Sequence, residues 1–386
     1  MLERPQLAGK EVVRQPSTTR TVTVHLKGPL VIGLPKHIMD KANQVAAAHG
    51  TKRKWTMGFD NRIFTVNTDD AGVAALRENP LVAEVRESPK AKIANTPLFA
   101  PPYGPTIPVY DPTVVNTDWG VTRMRANYAW GKGIYGQGVK LCVLDTGIQT
   151  KHQAFWNNGI TPFKGGRNFV EGTYDPEDDM DHGTWCCGII ASQHNGTEGS
   201  YRGIAPEVDL YVCKVLDAEG NGYYADIASA IDWAREKGMH IVSMSLGGAV
   251  TDSTLSAACV AAAAAGVLLI AAAGNDGPDD SVNYPARYPS CLAVAALDYF
   301  ESVADWSSRG PEVSVAAPGV NVVGPWAGFV FWNASVYGSK WLYVSESGTS
   351  GACPHVAAAA ALIKSWYPAA TAAQIRTYLQ NNARDL

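Results

Sequence analysis

The sequence predicts an α/β protein: a doubly wound, mostly parallel sheet preceded by a small ferredoxin-like α+β unit. Three observations carry this. Five near-continuous apolar runs alternate with helical spacing across residues 139–296, the pattern of strands covered on both faces, as in a parallel sheet. A stretch crowded with proline, from Thr96 to Pro112, divides the chain, because proline removes backbone donors and favours extended backbone. Ahead of it, alternating and helical segments succeed one another in the order β-α-β-α-β, which suits a split β-α-β unit.

In the first part, Thr21 to Leu26 alternates as a strand and His37 to His49 has helical spacing. Ile63 to Val66 reads as a strand, Ala71 to Glu78 as a short helix and Val82 to Val85 as a closing strand, with room for one more strand near Trp55. The expected organisation is a disordered tail over 1–19, the small unit over 20–92, a Pro-rich linker over 93–117 and a large domain over 118–386. So small a unit buries too little surface to be very stable alone.

In the large domain the apolar runs are Val139 to Leu144, Leu210 to Leu216, Ile241 to Leu246, Val267 to Ala273 and Leu292 to Ala296. Helices fit between them: Asp226 to Lys237, stopped by Gly238, and Ser253 to Ala265, stopped by Gly266, since glycine accepts the left-handed conformation that ends a helix. Thr371 with Gln374 has the spacing of a capping box for a last helix. In such folds, sites form at the carboxyl ends of strands.

Composition excludes several classes. Of 386 residues, 46% are hydrophobic and 18% charged, enough apolar side chain for a packed core and too much for a disordered or fibrous chain. The net charge of −4 leaves no basic patch for nucleic acid. The longest apolar candidate, Ala257 to Ala273, is interrupted by Gly266 and falls short of a bilayer span. Met1 to Arg20 is polar and lacks the apolar centre of a secretory signal. Seven cysteines, an odd number without a C-x-x-C pair, indicate neither a zinc site nor a complete disulfide framework. Charge is uneven, with 15 Lys and Arg against 9 Asp and Glu in residues 1–95 and 17 against 27 thereafter, so the two parts should attract.

Four short motifs could do chemistry. Asp145-Thr146-Gly147 puts an acid at the end of the first strand of the large domain, where it could hold an imidazole in one tautomer, or serve as a plain turn. His182 opens an apolar stretch and is suited to proton exchange near neutral pH, though a lone His is more often structural. Ser350 in Gly348-Thr-Ser-Gly351 stands at a helix start, near free backbone donors that favour an oxyanion, or is an ordinary N-cap. Asn275, after Val267 to Ala273, could donate an amide hydrogen to a developing oxyanion, or be part of a turn.

Their order and surroundings decide between these readings. Asp145…His182…Ser350 is the chain order of the subtilisin triad, and the flanking text runs Val143-Leu-Asp-Thr-Gly-Ile148, Asp181-His-Gly-Thr184, Ser243-Met-Ser-Leu-Gly-Gly248, Ala272-Ala-Gly-Asn275 and Pro354-His-Val356. From about Asp118 to Leu386 the chain resembles the subtilisin-like serine proteases. The resemblance implies a broad-specificity endopeptidase acting on polypeptides, with Ser350 as nucleophile, His182 as base, Asp145 orienting it and Asn275 in the oxyanion hole. It implies that Ser245, Leu246 and Gly247 pair with substrate backbone, and that Ala272, Ala273 and Asn283 line a pocket for a sizeable apolar side chain. Residues 20–92 resemble the family's inhibitory propeptide, so the chain is expected to be a zymogen that cuts itself between Ala91 and Asp118, its own propeptide serving as intramolecular inhibitor. Secretion is the compartment the resemblance implies, and the polar start of the chain leaves an intracellular protein as the alternative.

The same residues would serve a peptide ligase that passes the acyl-enzyme to an amine, and a prodomain-locked homologue without activity is the rival from another class. Departures from the family pattern feed that rival: Gly351 stands where Met usually follows the nucleophile, and Trp185 where a second His is common. No cofactor is required for the chemistry. Many relatives bind calcium through an Asp nine residues beyond the catalytic Asp, but Ala154 stands there; Asp175, Asp178 and Asp179 offer an alternative set of hard oxygens. The segment Val323 to Tyr343 is rich in aromatic residues, as a lid or partner surface would be.

Overall fold

The computed structural model describes residues 20–26, 45–47, 53–56, 63–68, 70–94, 118–193, 201–279, 282–326 and 342–384. The expected tail over 1–19, most of the 37–49 helix and the linker from residue 95 to 117 lie outside the described residues, as do 327–341 of the aromatic segment. The chain forms two units, and the division falls between Glu87 and Ser88, five residues before the expected end of the small unit.

The small unit is an antiparallel sheet of β1 (Arg20–Leu26), β2 (Arg53–Thr56), β3 (Ile63–Thr68) and β4 (Val82–Glu87), in the order β2-β3-β1-β4. Helix α1 (Asp70–Glu78) joins β3 to β4, and Val45 to Ala47 are helical between β1 and β2. The strand anticipated near Trp55 is therefore β2. Its own core includes Val22, Val24, Val66, Val73, Leu76 and Val85, the inward positions of alternating strands and one helix face.

The large unit begins with β5 (Lys90–Ile93), then α2 (Trp119–Arg123), α3 (Ala126–Trp130), β6 (Lys140–Asp145), β7 (Phe163–Asn168), α4 (His182–Ala191), β8 (Asp209–Lys214) and β9 (Asn221–Tyr223). It continues through α5 (Tyr224–Glu236), β10 (Ile241–Met244), β11 (Leu246–Gly247), α6 (Ser253–Ala264), β12 (Leu268–Ala272), β13 (Cys291–Leu297) and β14 (Val313–Pro318). A hairpin of β15 (Val322–Trp326) and β16 (Leu342–Glu346) precedes α7 (Thr349–Trp366) and α8 (Ala372–Asn382). Seven strands form one sheet in the order β14-β13-β12-β10-β6-β8-β7, with every neighbouring pair parallel. This is the α/β architecture that the apolar runs predict. The capping box at Thr371 and Gln374 is formed.

β7 and β14 escape the periodicity argument because they are the edge strands and are only half-buried; Phe163-Lys-Gly-Gly-Arg-Asn168 is neither apolar nor alternating. Trp326 and Tyr343, from the aromatic segment, belong to the β15–β16 hairpin as paired neighbours of Leu342 and Pro325. Among the described residues no helix is long and apolar enough to cross a membrane.

Candidate active site

The end of β6 and the start of α4 meet backbone to backbone. Gly147 has φ +124°, and a Cβ there would stand 2.5 Å from the Pro176 carbonyl oxygen; at Gly183 a Cβ would stand 2.2 Å from the Gly147 oxygen. Only two glycines allow this approach, and the Gly183 N–H donates to Thr146 Oγ1 at 2.8 Å. The result sets His182 Nδ1 2.7 Å from Asp145 Oδ1, both side chains fully buried. Oδ1 also accepts the Thr146 N–H at 2.7 Å. A carboxylate facing Nδ1 favours the proton on that nitrogen and leaves the lone pair on Nε2. Among the described residues Nε2 has no hydrogen-bond partner.

Two side chains that the sequence reading did not assign to this site brace it. Asp178 caps α4: Oδ1 accepts from Met180 N and Asp181 N at 3.0 Å each, and Oδ2 from Thr184 N at 2.8 Å and Thr184 Oγ1 at 2.6 Å. Lys214, at the end of β8, is buried and donates to the carbonyls of Thr146 and Leu216, each at 2.8 Å, and to Asp179 at 2.5 Å. An acid four residues before the helix, as a cap, was the available signal for the first; nothing local marks the second.

Ser350 lies in the first turn of α7. Pro354, four residues on, has no N–H to give the Ser350 carbonyl. That oxygen accepts from Ser245 Oγ at 2.9 Å, and the Cys186 thiol lies 3.7 Å from it. The Ser350 hydroxyl is directed to the Ala94 carbonyl at 2.5 Å and to the Ser245 carbonyl at 3.2 Å, not to His182. Thus the structure brings Asp145 and His182 together and engages Ser350 with main-chain carbonyls beside them. Asn275 accepts at Oδ1 from Thr349 N, 3.0 Å, and Thr349 Oγ1, 2.9 Å. Its Nδ2 is buried and has no hydrogen-bond partner among the described residues, a donor still able to give a hydrogen bond.

β5 lies between β11 and β9 and is antiparallel to both. Leu246 pairs with Ile93 and Gly247 with Lys92; Ala91 pairs with Gly222. Ile93 N donates to Gly220 O at 3.1 Å, Ala94 N to Ser245 O at 3.2 Å, and Ser350 N to Ala94 O at 3.1 Å. An extended segment of the chain therefore places the Ala94 carbonyl on Ser350. Of the expected pocket residues, Ala272 and Ala273 are fully buried, and Ala272 belongs to the main core. Asn283 donates from N to Ala273 O at 2.8 Å and from Nδ2 to Asp276 at 2.7 Å.

A model of the subtilase family matches residues 136–386. This chain belongs to that family. The subtilase is 42% identical over 265 residues to a thermostable alkaline protease of Halalkalibacterium halodurans, covering 69% of this chain and 67% of that protein. It is 40% identical over 268 residues to subtilisin BL of Lederbergia lenta, covering 69% and 91%. With alkaline elastase YaB of a Bacillus species it shares 36% over 324 residues, covering 84% of this chain and 75% of that protein. It is a serine endopeptidase of the subtilisin type.

The acidic loop of this subtilase does not fit a calcium ion. Both Asp178 oxygens are taken by four donors of the chain, Asp179 faces the Lys214 ammonium, and Asp175 accepts from Glu177 N at 3.2 Å. A cation would have to displace an ammonium and break a helix cap. All seven cysteines are buried and free. Cys186 Sγ lies 4.0 Å from His182 Nδ1; burial, with Asp145 adding, pushes its pKa up and keeps it a thiol.

Behind α7, Asp118, Ser192, Tyr201, Arg202 and His355 line a small cavity. Burial lowers His355 to about 4, and its Nδ1 donates to Gly351 O at 2.7 Å. Burial raises Asp118 to about 7 against the pull of its backbone hydrogen bonds, among them Gly120 N at 3.1 Å. Between the unfolded value of 3.8 and about 7 the folded protein holds a proton that the unfolded chain has released. The stability this gives is complete below the lower value and is lost as pH rises through the upper one, on the order of 4 kcal/mol in all. Asp118→Asn keeps a cap acceptor without the charge. Its melting temperature is expected to exceed the wild type's at about pH 8, with the gain vanishing below about pH 4; equal curves across that range would refute the ionisation of Asp118.

Proposed function

We propose that this serine endopeptidase is made as a zymogen that cuts its own chain between Ala94 and Asn95, with Ser350, His182, Asp145 and Asn275 as the catalytic groups. The observation that carries the proposal is the seat of Ala94: its N–H on the Ser245 carbonyl and its own carbonyl on both the N–H and the hydroxyl of Ser350.

In the reaction the Ser350 hydroxyl turns from the carbonyl oxygen toward His182 Nε2, gives it the proton and bonds to the Ala94 carbon. The oxyanion so formed is met by the Ser350 N–H and the unpaired Asn275 Nδ2–H, donors fixed before the charge appears. The imidazolium, steadied by Asp145, passes its proton to the leaving nitrogen of Asn95. Water, deprotonated by the same imidazole, then releases Ala94 as a carboxylate.

Recognition of β5 runs through main-chain pairing on both sides, which supports broad specificity. The same pairing supports residues 20–94 as the intramolecular inhibitor, since a segment bound this way after cleavage still occupies the cleft. Mass spectrometry of the purified wild-type chain is the test. A fragment beginning Asn95-Thr-Pro-Leu98 is expected; an intact chain, or a terminus elsewhere, would count against it.

A further inference from the structure

Two departures from the family pattern, Trp185 and Gly351, stand far apart in the sequence and touch in the fold. A Cβ at Gly351 would lie 3.0 Å from Cη2 and 3.4 Å from Cζ2 of the Trp185 indole, and 3.5 Å from Val322 Cγ2. The opposite end of the same ring lies across β15, where a Cβ at Gly324 would stand 2.3 Å from Cδ1. Trp185 is fully buried, and its Nε1–H donates to the Val322 carbonyl at 3.1 Å. Its ring centroid is 5.8 Å from that of His182, at a tilt of 49°.

The indole is thus fixed by one hydrogen bond and two backbone surfaces, between the imidazole on one side and the residue that follows the nucleophile on the other. Gly351 does not use glycine's conformational freedom: it sits in the first turn of α7 and is not among the glycines of positive φ. Its N–H donates to Gly348 O at 3.0 Å and its carbonyl accepts from His355. A helical position without that need ordinarily disfavours glycine. What it lacks here is clearance, because a Cβ would press on the indole at 3.0 Å.

We propose that Trp185 is a positioning residue: its indole fills the volume a side chain at position 351 would take, and the two form one reciprocal unit that sets the spacing of His182 and Ser350. This rests on the reading of Ser350 as nucleophile and His182 as base. A close-packed interior transmits a displaced ring to its neighbours, and His182 and the Ser350 turn are the neighbours on either side.

The test is a double-mutant cycle in the full chain with Gly351→Met, Trp185→His and their combination, reading kcat, KM, the pH profile of kcat/KM and labelling of Ser350 by a fluorophosphonate. Expected losses in kcat are about 10²-fold for Gly351→Met and about tenfold for Trp185→His, the scale of misplacing reacting groups by up to an ångström, with KM little changed. The double variant should recover to within about tenfold of wild type, far above the product of the single losses, because neighbouring sites are not additive. The acid limb of the pH profile should move in Trp185→His and stay in place in Trp185→Phe, which keeps an apolar ring beside the imidazole. If Gly351→Met does not fold, Gly351→Ala, which asks for only a slight shift, takes its place in the cycle. Additive losses, or Trp185→His with unchanged kcat and pH profile, would overturn the pairing while wild-type labelling leaves the catalytic reading intact. Absence of labelling in the wild type would overturn both.

Discussion

Ser350→Ala is expected to remain a single chain, uncut at Ala94, and to hydrolyse no added peptide above background. The geometry gives the reason. Among the described residues, the Ser245 hydroxyl is spent on the Ser350 carbonyl, and the Cys186 thiol is fully buried with its pKa raised, so neither stands in for Ser350. The drop in kcat should be on the order of 10⁶, the scale known for subtilisin itself. The fold should survive, because the Ser350 hydroxyl donates only to two carbonyls and its backbone contacts persist in alanine. Electrophoresis and intact mass decide it. A Ser350→Ala chain that still yields Asn95 as a new terminus would transfer the nucleophile elsewhere.

The second large effect is expected at Asn275. Its Oδ1 organises Thr349 while its Nδ2 stands unpaired, so one side chain has two separable duties. Asn275→Ala removes both; Asn275→Asp keeps the acceptor and removes the donor. Both should lower kcat by about 10²–10³ with KM nearly constant, again the range known for subtilisin, since the bond forms only as the oxyanion develops. Thermal melts separate the duties: Asn275→Ala should lose more stability than Asn275→Asp. If Asn275→Asp kept full activity, the amide would be structural and the oxyanion would depend on the Ser350 N–H alone.

Much of this was legible in the chain. The central strands were readable because burial on both faces leaves an unbroken apolar run, as in Ile241 to Met244; edge strands such as Phe163–Asn168 bury too little to leave one. Asp145, His182, Asn275 and Ser350 were legible through five ordered motifs, each weak alone. What could not be read was anything set by an approach across the fold. Lys214 looks like an ordinary strand residue until β6 is beside it. In sequence Asp178 looks like a cation ligand, because carboxylates on one loop look alike whether they face a metal or the start of a helix. Trp185 and Gly351 were each visible as a departure, but only contact makes them a pair.

The proline four residues beyond Ser350 also bears on how the site comes apart. The opening turn of a helix is ordinarily where fraying begins and where amide hydrogens exchange early. In α7 the ladder bond that fraying would break first at Ser350 is already missing, and its place is taken by a tie to Ser245, beyond the end of a central strand. Local opening of that turn therefore drags on the sheet, and the Ser350 carbonyl should keep its tie to Ser245 until the end of the central strand itself gives way.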